Sequence, residues 1–443
     1  MTKSFSISID SVKDRAGSTI AGLVFLAAPV LLVCVGYYAG AWIGKTLRFP
    51  DSHLSLLWPP TAILLATLLL TPQRRWWIYL LAVIPVHVLV QLPDGVPAWG
   101  IVSQLIGNFG QAVLAAFAVR LFNQETALFN NFRGVVVFML GAVIFAPVAV
   151  SSIAAYLYVL SGWEQSYWYA WRARVLSNAL STLMIVPPIV LVAGGMIQAI
   201  RFEPRRFLEA GAIAVGLGLI AFAALGTETA AAVFLYAPIP LLLWAAVRFG
   251  IGGLCLALLG TAYLIFLDVS GGQGPFPAHS AAENMLSLQL FLITIALPLM
   301  LLAVLIDERW SKETAVRESE ARYRALVMAS ADMVWRADAR GEVFFFTPSW
   351  QEFTGQNEST MRGLGWLEAV HPDDRERTKR LWGQALMEKR AYENELRVRA
   401  RVDGSYRHFY VHAVPILAPD GGVHEWVGAN IDITERKRAE QAL

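Results

Sequence analysis

LSLQLFLITIALPLMLLAVLI (286–306) runs without a break into DERWSKETAVRESEARYRALVMAS (307–330). The first segment has the length and composition of a membrane span, and the second is a charged helical segment. From Leu299 to Arg340 there is neither glycine nor proline, so no residue stops one helix from leaving a bilayer and running on. The chain before this stretch reads as membrane, and the chain after it reads as an aqueous domain. The stretch is the covalent route for a signal from one to the other.

Composition divides at the same place. The chain has 443 residues, 56% of them hydrophobic, and a mean hydropathy of +0.50, far from an ordinary soluble protein. Of 36 Lys and Arg, 21 lie in residues 307–443, as do 23 of the 34 Asp and Glu. The first 306 residues are thus nearly charge-free. The formal net charge of +2 says nothing about nucleic acid, because the basic residues are not gathered into a patch, and no nucleic-acid partner is expected. Cys34 and Cys255 both fall in apolar runs and form neither a metal motif nor a disulfide framework. The first apolar run, 19–43, exceeds the apolar core of a signal peptide and has no small-residue cleavage site, so it reads as a span after a tail of residues 1–18.

At ~20 apolar residues per crossing, about ten spans are expected, near 19–43, 55–71, 76–92, 98–121, 134–160, 172–196, 207–226, 230–248, 250–268 and 285–306. Basic residues mark one side: Lys3, Lys13, Arg15, Arg74, Arg75, Arg120, Arg133, Arg201, Arg205, Arg206, Arg248, Arg309 and Lys312. The intervening loops carry Asp94, Glu164, Glu228, Asp268 and Glu283, with Lys45, Arg48, Arg172 and Arg174 as exceptions. By the positive-inside rule both termini are cytoplasmic, with an even number of spans.

Several spans contain prolines, among them Trp58-Pro59-Pro60, Pro85, Pro147, Pro187-Pro188, Pro238, Pro240 and Pro298. These read as kinks whose freed carbonyls neighbouring helices satisfy. Polar residues at membrane depth are costly and face the bundle interior. His87 and Gln91 lie in the third span. Gln104, Asn108 and Gln111 share one face of the fourth, and Arg172, Arg174 and Asn178 enter the sixth. Two readings stand for these residues. One is interhelical glue, worth ~0.6 kcal/mol per hydrogen bond. The other is a pocket open to the periplasm for a periplasmic or membrane small-molecule ligand, which includes Trp58 and in which Arg172 or Arg174 meets an anionic group; membrane lipid is the further partner expected.

WPPTAILLATLLL (58–70), GNFGQAVLAAFAVRL (107–121), WYAWRARVLSNALSTLMIVPP (168–188) and YAPIPLLLWAAVRFG (236–250) together resemble the MASE1 family, over residues 19–306. These are integral membrane sensory domains at the N-termini of bacterial histidine kinases and diguanylate cyclases. The resemblance implies an α-helical polytopic sensor in a bacterial inner membrane. Relatives commonly carry an acid where this chain has Gln111, and another where it has Asn178, so a proton or cation site does not transfer here.

In residues 307–330, Glu313–Arg317, Glu318–Arg322 and Glu320–Arg324 place Glu four residues before Arg, the favoured order on an exposed helix. A heptad seam runs through Leu302, Leu305, Arg309, Lys312, Val316, Ser319, Tyr323 and Leu326, five of them apolar. That is a weak coiled coil, and the reading preferred is a parallel homodimer. From 331 the pattern becomes short strands: 332–337 and 342–347 around Arg340-Gly341, then 392–402, 406–418 and 423–433 around Gly-containing turns. Between them lie a short helix in PSWQEFTG (348–355) and a longer one after HPDDRE (371–376). SEARYRAL (319–326), PSWQEFTG, HPDDRE and DITERK (432–437) resemble a PAS domain with its PAC part, an α+β fold with a five-stranded antiparallel sheet spanning 331–434. The resemblance gives Asp432 and Thr434 the relay from the last strand to an output helix beginning at 435–443.

No cofactor is evident. Flavin chemistry of the cysteine-adduct type is excluded because the domain has no cysteine, and the long helix has no histidine after His371 to ligate a haem. His408 and His412 alternate along a strand as half-buried neighbours do, Phe344, Phe345, Phe346, Trp335, Trp366 and Trp426 read as core, and no metal site is expected. No phosphate loop or nucleophile triad appears, so this chain alone is expected to catalyse nothing. ITERKRAEQAL leaves no room for the kinase or cyclase domain that comes next in relatives. The expected function is the input module of a two-component sensor histidine kinase. A diguanylate cyclase input module, or a transporter-like protein with a regulatory PAS domain, stays open beside it.

Overall fold

The computed structural model describes residues 9–48, 55–123, 128–162, 164–194, 204–224, 235–270, 281–330 and 333–442, with backbone alone at 9–26, 268–270, 281–282 and 323–330. Lys3, Lys13, Arg15, Arg201, Glu228, Asp268, Tyr323, Arg324 and Leu326 of the sequence reading lie outside the described side chains. The chain forms two compact units, Met1–Ser311 and Lys312–Leu443.

The first unit is helical: α1 (Ile9–Thr46), α2 (Pro59–Leu70), α3 (Trp76–Gln91), α4 (Ala98–Phe122), α5 (Phe132–Leu160), α6 (Tyr167–Ala193), α7 (Pro204–Ala224), α8 (Ile239–Ser270) and α9 (Ala281–Ser330). Among the described residues, eight helices are long and apolar enough to cross a membrane. Two of the ten expected spans account for the difference. Helix α2 has only 12 residues. The expected spans 230–248 and 250–268 fall on α8 from Ile239 onward, two helical stretches joined across a sharp break at Gly250, whose φ of 62° and ψ of −158° only glycine adopts readily.

Helix α2 is short because it is the centre of the bundle. Nine of its twelve residues are buried, and it packs on α1, α4 and α6. Trp58 precedes it in a non-helical conformation (φ −123°, ψ 79°), and Pro59 and Pro60 occupy its first positions, where a backbone donor would have no partner anyway. Trp58-Pro59-Pro60 is therefore a helix start rather than the kink expected from sequence. At the other end, Nη2 of Arg120 donates to the carbonyls of Leu68 (2.9 Å), Leu69 (3.1 Å) and Thr71 (2.5 Å). The guanidinium thereby caps the negative end of α2, and it also lies over the Trp76 ring at 5.2 Å. In α5, Pro147 comes after a π-helical stretch, Met139–Phe145. That wider turn accommodates the bond Pro147 cannot donate. Two cations expected as exceptions to the charge rule are matched. Lys45 and Arg48 both meet Asp94 at 2.9 Å, joining the ends of α1 and α3.

Helix α9 is one α-helix of 50 residues and contains Pro298. Its side chains are buried at Met285, Leu288, Gln289, Leu292, Ala296, Met300, Ala303 and Val304, a stripe at helical spacing. From Arg309 to Arg322 every residue is exposed, including the seam residue Val316 at 58%.

The second unit holds β1 (Met333–Asp338), β2 (Val343–Phe346), α10 (Pro348–Thr354), α11 (Glu358–Met361), α12 (Pro372–Glu388), β3 (Tyr392–Arg399), β4 (Tyr406–Leu417), β5 (Val423–Asp432) and α13 (Thr434–Gln441). The sheet is antiparallel in the order β2-β1-β5-β4-β3, so the last strand lies between the first and the fourth. Alternating residues of β3 and β5 enter one core with Trp335, Trp350, Trp382 and Trp426. The Trp382 ring meets Trp335, Tyr392 and Trp426 edge-on at 5.0 to 5.5 Å. Helix α12 starts as its sequence dictates. His371 caps it by accepting from the Asp373 amide (3.3 Å), while Asp374 accepts from Arg397 Nε (2.9 Å), Nη2 (3.1 Å) and backbone (3.1 Å) and so pins the helix to β3. The aromatic run of β2 is core only at its end. Phe346 is buried, whereas Phe344 and Phe345 are 39% and 41% exposed, because β2 is an edge strand with a register shift opposite it between Arg336 and Ala337. Trp366 is half-buried, as are His408 and His412.

Candidate functional site

A polar cavity opens inside the first unit. It is lined by Arg48, Ser55, Trp58, Gln91, Gln104, Asn108, Tyr158, Arg174, Ser177 and Asn178, and its volume is about 50 Å³. Helices α3, α4, α5 and α6 and the segment before α2 each contribute. Trp58 is held at the wall because its amide donates to Ser181 Oγ at 2.6 Å and because α1 passes at Gly44, where a Cβ would come within 2.8 Å of the indole. Arg174 is 7% exposed. Its Nη1 donates to Tyr158 Oη at 2.6 Å and its guanidinium covers the Tyr158 ring at 4.8 Å. Gly107 makes room for it on α4, where a Cβ would lie 2.8 Å from Nη2.

Six of the expected pocket residues are brought together here: Trp58, Gln91, Gln104, Asn108, Arg174 and Asn178. Three lie elsewhere. Arg172 turns away, its Nε donating to the Trp168 carbonyl (3.2 Å). His87 is fully buried and pairs through Nδ1 with Tyr37 Oη (3.2 Å). Gln111 is buried two turns of α4 beyond Gln104 and does not reach the lining. Both readings of the polar residues hold, for different atoms. Asn108 is glue, donating to Tyr37 Oη (3.3 Å) and accepting from Thr61 Oγ1 (3.2 Å). By contrast, Gln91 Oε1, Asn178 Oδ1, Ser177 Oγ and Arg174 Nε and Nη2 are buried without a hydrogen-bond partner among the described residues. Sequence reasoning passed over Arg48, Ser55, Tyr158 and Ser177. The available signal for Ser177 was its place one turn after Arg174.

The cavity rim touches the exit helix. Gln289 of α9 is fully buried, and its Nε2 donates to the carbonyls of Leu56 (2.9 Å) and Ser55 (3.4 Å) in the segment that carries Trp58. Further along α9, the Glu308 carboxylate accepts from the Phe132 amide at 3.0 Å.

The second unit has its own junction. Asp432 Oδ1 accepts from the Thr434 amide (2.8 Å), and Thr434 Oγ1 accepts from the His408 amide (3.0 Å), so the turn from β5 into α13 is tied to β4. Glu395 of β3 then holds α13 through Lys437 (2.7 Å) and Arg436 (2.9 Å). The Lys437 ammonium keeps the Glu395 carboxyl below its usual range. The interior of this unit leaves a cavity of about 20 Å³, walled by Trp335, Trp350, Trp366 and Trp382 with Tyr392 and Asn430. Among the described residues no group of His, Cys, Asp and Glu could hold a metal ion.

Comparison with known proteins agrees with both units. The MASE1 family model matches residues 29–309, and the PAS fold model matches 343–430. An uncharacterized protein, y4lL, of Sinorhizobium fredii is 38% identical over 136 residues, 31% of this chain and 16% of its own length. The peroxide stress-activated histidine kinase mak1 of Schizosaccharomyces pombe is 27% identical over 148 residues, 31% of this chain and 9% of its own. The chain thus spans less than a fifth of either relative. A solved sensory box histidine kinase/response regulator from Burkholderia thailandensis is 26% identical, covering 27% of this chain and 89% of its own, with a TM-score of 0.22. A membrane domain followed by a PAS fold is the composition of a membrane sensor module, and the chain belongs to the MASE1 family.

Proposed function

We propose that this chain is the input module of a two-component sensor histidine kinase. The bundle senses at its polar cavity, α9 carries the change out of the membrane, and the PAS unit passes it to an output helix that begins at α13. The observation that carries this reading is the bond from Gln289 to Leu56, which makes the exit helix a direct neighbour of the cavity wall. Similarity to a histidine kinase over a third of the chain supports the class of output. The PAS-like turn at Asp432 and Thr434, anchored to β4, supports the relay.

The reading includes a parallel homodimer through α9, both termini in the cytoplasm, and a bacterial inner membrane as the location. Arg74, Arg75, Arg120 and Arg248 on one side, and Asp94 and Glu164 on the other, support the orientation. Exposed apolar residues at seam positions, Leu305 at 49% and Val316 at 58%, support the dimer. A dimer seam this weak suits an element that rotates or slides under modest forces.

The test joins the full chain, in helical register after Leu443, to a histidine kinase core and tracks autophosphorylation in membranes. Gln289→Leu removes the bond to the cavity wall and is expected to shift the level. If Gln289→Leu and removal of residues 1–306 both leave phosphorylation unchanged, the bundle is no input.

A further inference from the structure

We propose that the polar cavity binds a small carboxylate, held by the guanidinium of Arg174. The inference rests on reading the bundle as a sensor and names the ligand class of that site. A guanidinium cannot be neutralised in a protein, so a buried one needs an anion or a full set of acceptors. Arg174 has neither among the described residues: one phenol oxygen and one aromatic face meet it, and Nε and Nη2 have no partner. Among the described residues the cavity lining contains no carboxylate. Arg48, the other cation of the lining, shares Asp94 with Lys45, each at 2.9 Å. Among the described residues Arg174 is the lining cation that meets no carboxylate, which favours an anionic guest.

The remaining lining fits such a guest. Ser177 Oγ, Gln91 Oε1 and Asn178 Oδ1 place hydrogen-bonding atoms around the same space without partners among the described residues, and an amide presents either its oxygen or its nitrogen by turning over. Residues serving only as interhelical glue would bond one another, as Asn108 does with Tyr37 and Thr61. The indole of Trp58 supplies an apolar wall for a short carbon chain. The cavity, about 50 Å³ in volume, is small and suits a small guest such as acetate.

The experiment uses the full chain in lipid nanodiscs and measures thermal unfolding with sodium acetate. Acetamide serves as the neutral isostere and sodium chloride as the ionic-strength control. A saturable rise in Tm with acetate, absent with acetamide and chloride, is expected. Arg174→Gln should abolish the rise and Arg174→Lys should retain part of it. Should Arg174→Gln fail to fold, Ser177→Ala is expected to raise the acetate concentration at half-effect about tenfold, the loss of one charge-assisted hydrogen bond. No rise with acetate, an equal rise with acetamide, or a full rise in Arg174→Gln overturns the proposal. Autophosphorylation of the kinase fusion is read separately. Acetate binding without any change in output leaves the site standing and fails the sensor reading. Output that responds to Gln289→Leu without acetate binding fails only the site.

Discussion

The guanidinium of Arg174 lies where a side chain of residue 107 would be: a Cβ on Gly107 would sit 2.8 Å from its Nη2 and 3.3 Å from the Ala154 methyl. The glycine on α4 and the arginine on α6 are one device, because only a bare backbone lets the charged group pack flat against a neighbouring helix. Gly107→Ala should displace the guanidinium from Tyr158, lower stability by about 1–3 kcal/mol through overpacking, and abolish the acetate-dependent rise in Tm. Unfolding curves with and without acetate check it.

Arg120 has a different task from the arginines at the cavity, since it closes the end of the central helix. Arg120→Met keeps the apolar stem and removes the donors to three carbonyls. A loss of about 1–3 kcal/mol is expected, visible as a fall in Tm. Arg172→Met, which deletes one bond to an exposed carbonyl, should cost much less.

The PAS unit should loosen in acid at one named place. Hydrogen bonds and charge from Arg397 hold the Asp374 carboxyl below its usual range. A depressed carboxylate contributes stability that is present above the unfolded value of about 3.9 and is lost as pH falls through the lower folded value. Hydrogen exchange at the Arg397 amide, corrected for intrinsic rate, should therefore accelerate as pH drops below about 4. Asp374→Asn should already show the faster exchange at neutral pH.

Thr434→Val leaves the His408 amide without its hydroxyl acceptor while keeping the side chain's shape. The expected cost is about 1–2 kcal/mol, localised at the start of α13. Faster exchange along Thr434–Gln441 with an unchanged β4 core checks the location.

Much of this architecture is legible in the chain because it is written in long patterns. Apolar runs of span length, alternating strands and glycine turns place the bundle and all five strands to within a few residues. What the sequence hid depends on packing in three dimensions. Arg172 and Arg174 are two residues apart, about 200° around a helix, so they point to opposite sides, and nothing local says which side is inside. Gln104 and Gln111 share a face but lie about 10 Å apart along it, farther than the cavity reaches. The prolines of Trp58-Pro59-Pro60 suit a kink or a helix start equally well, and burial of α2 on nearly every side decides for the start. Phe344 and Phe345 look like core until the strand order puts them on an edge.

Transmission through α9, as opposed to mere tethering, depends on the rotational phase of that helix. One residue inserted at Ser319 in the kinase fusion rotates everything beyond it by ~100°, whereas seven residues inserted there restore the phase to within ~20°. Autophosphorylation should change with the single insertion and return close to the starting level with seven. Equal phosphorylation in all three proteins would contradict transmission and make α9 a tether.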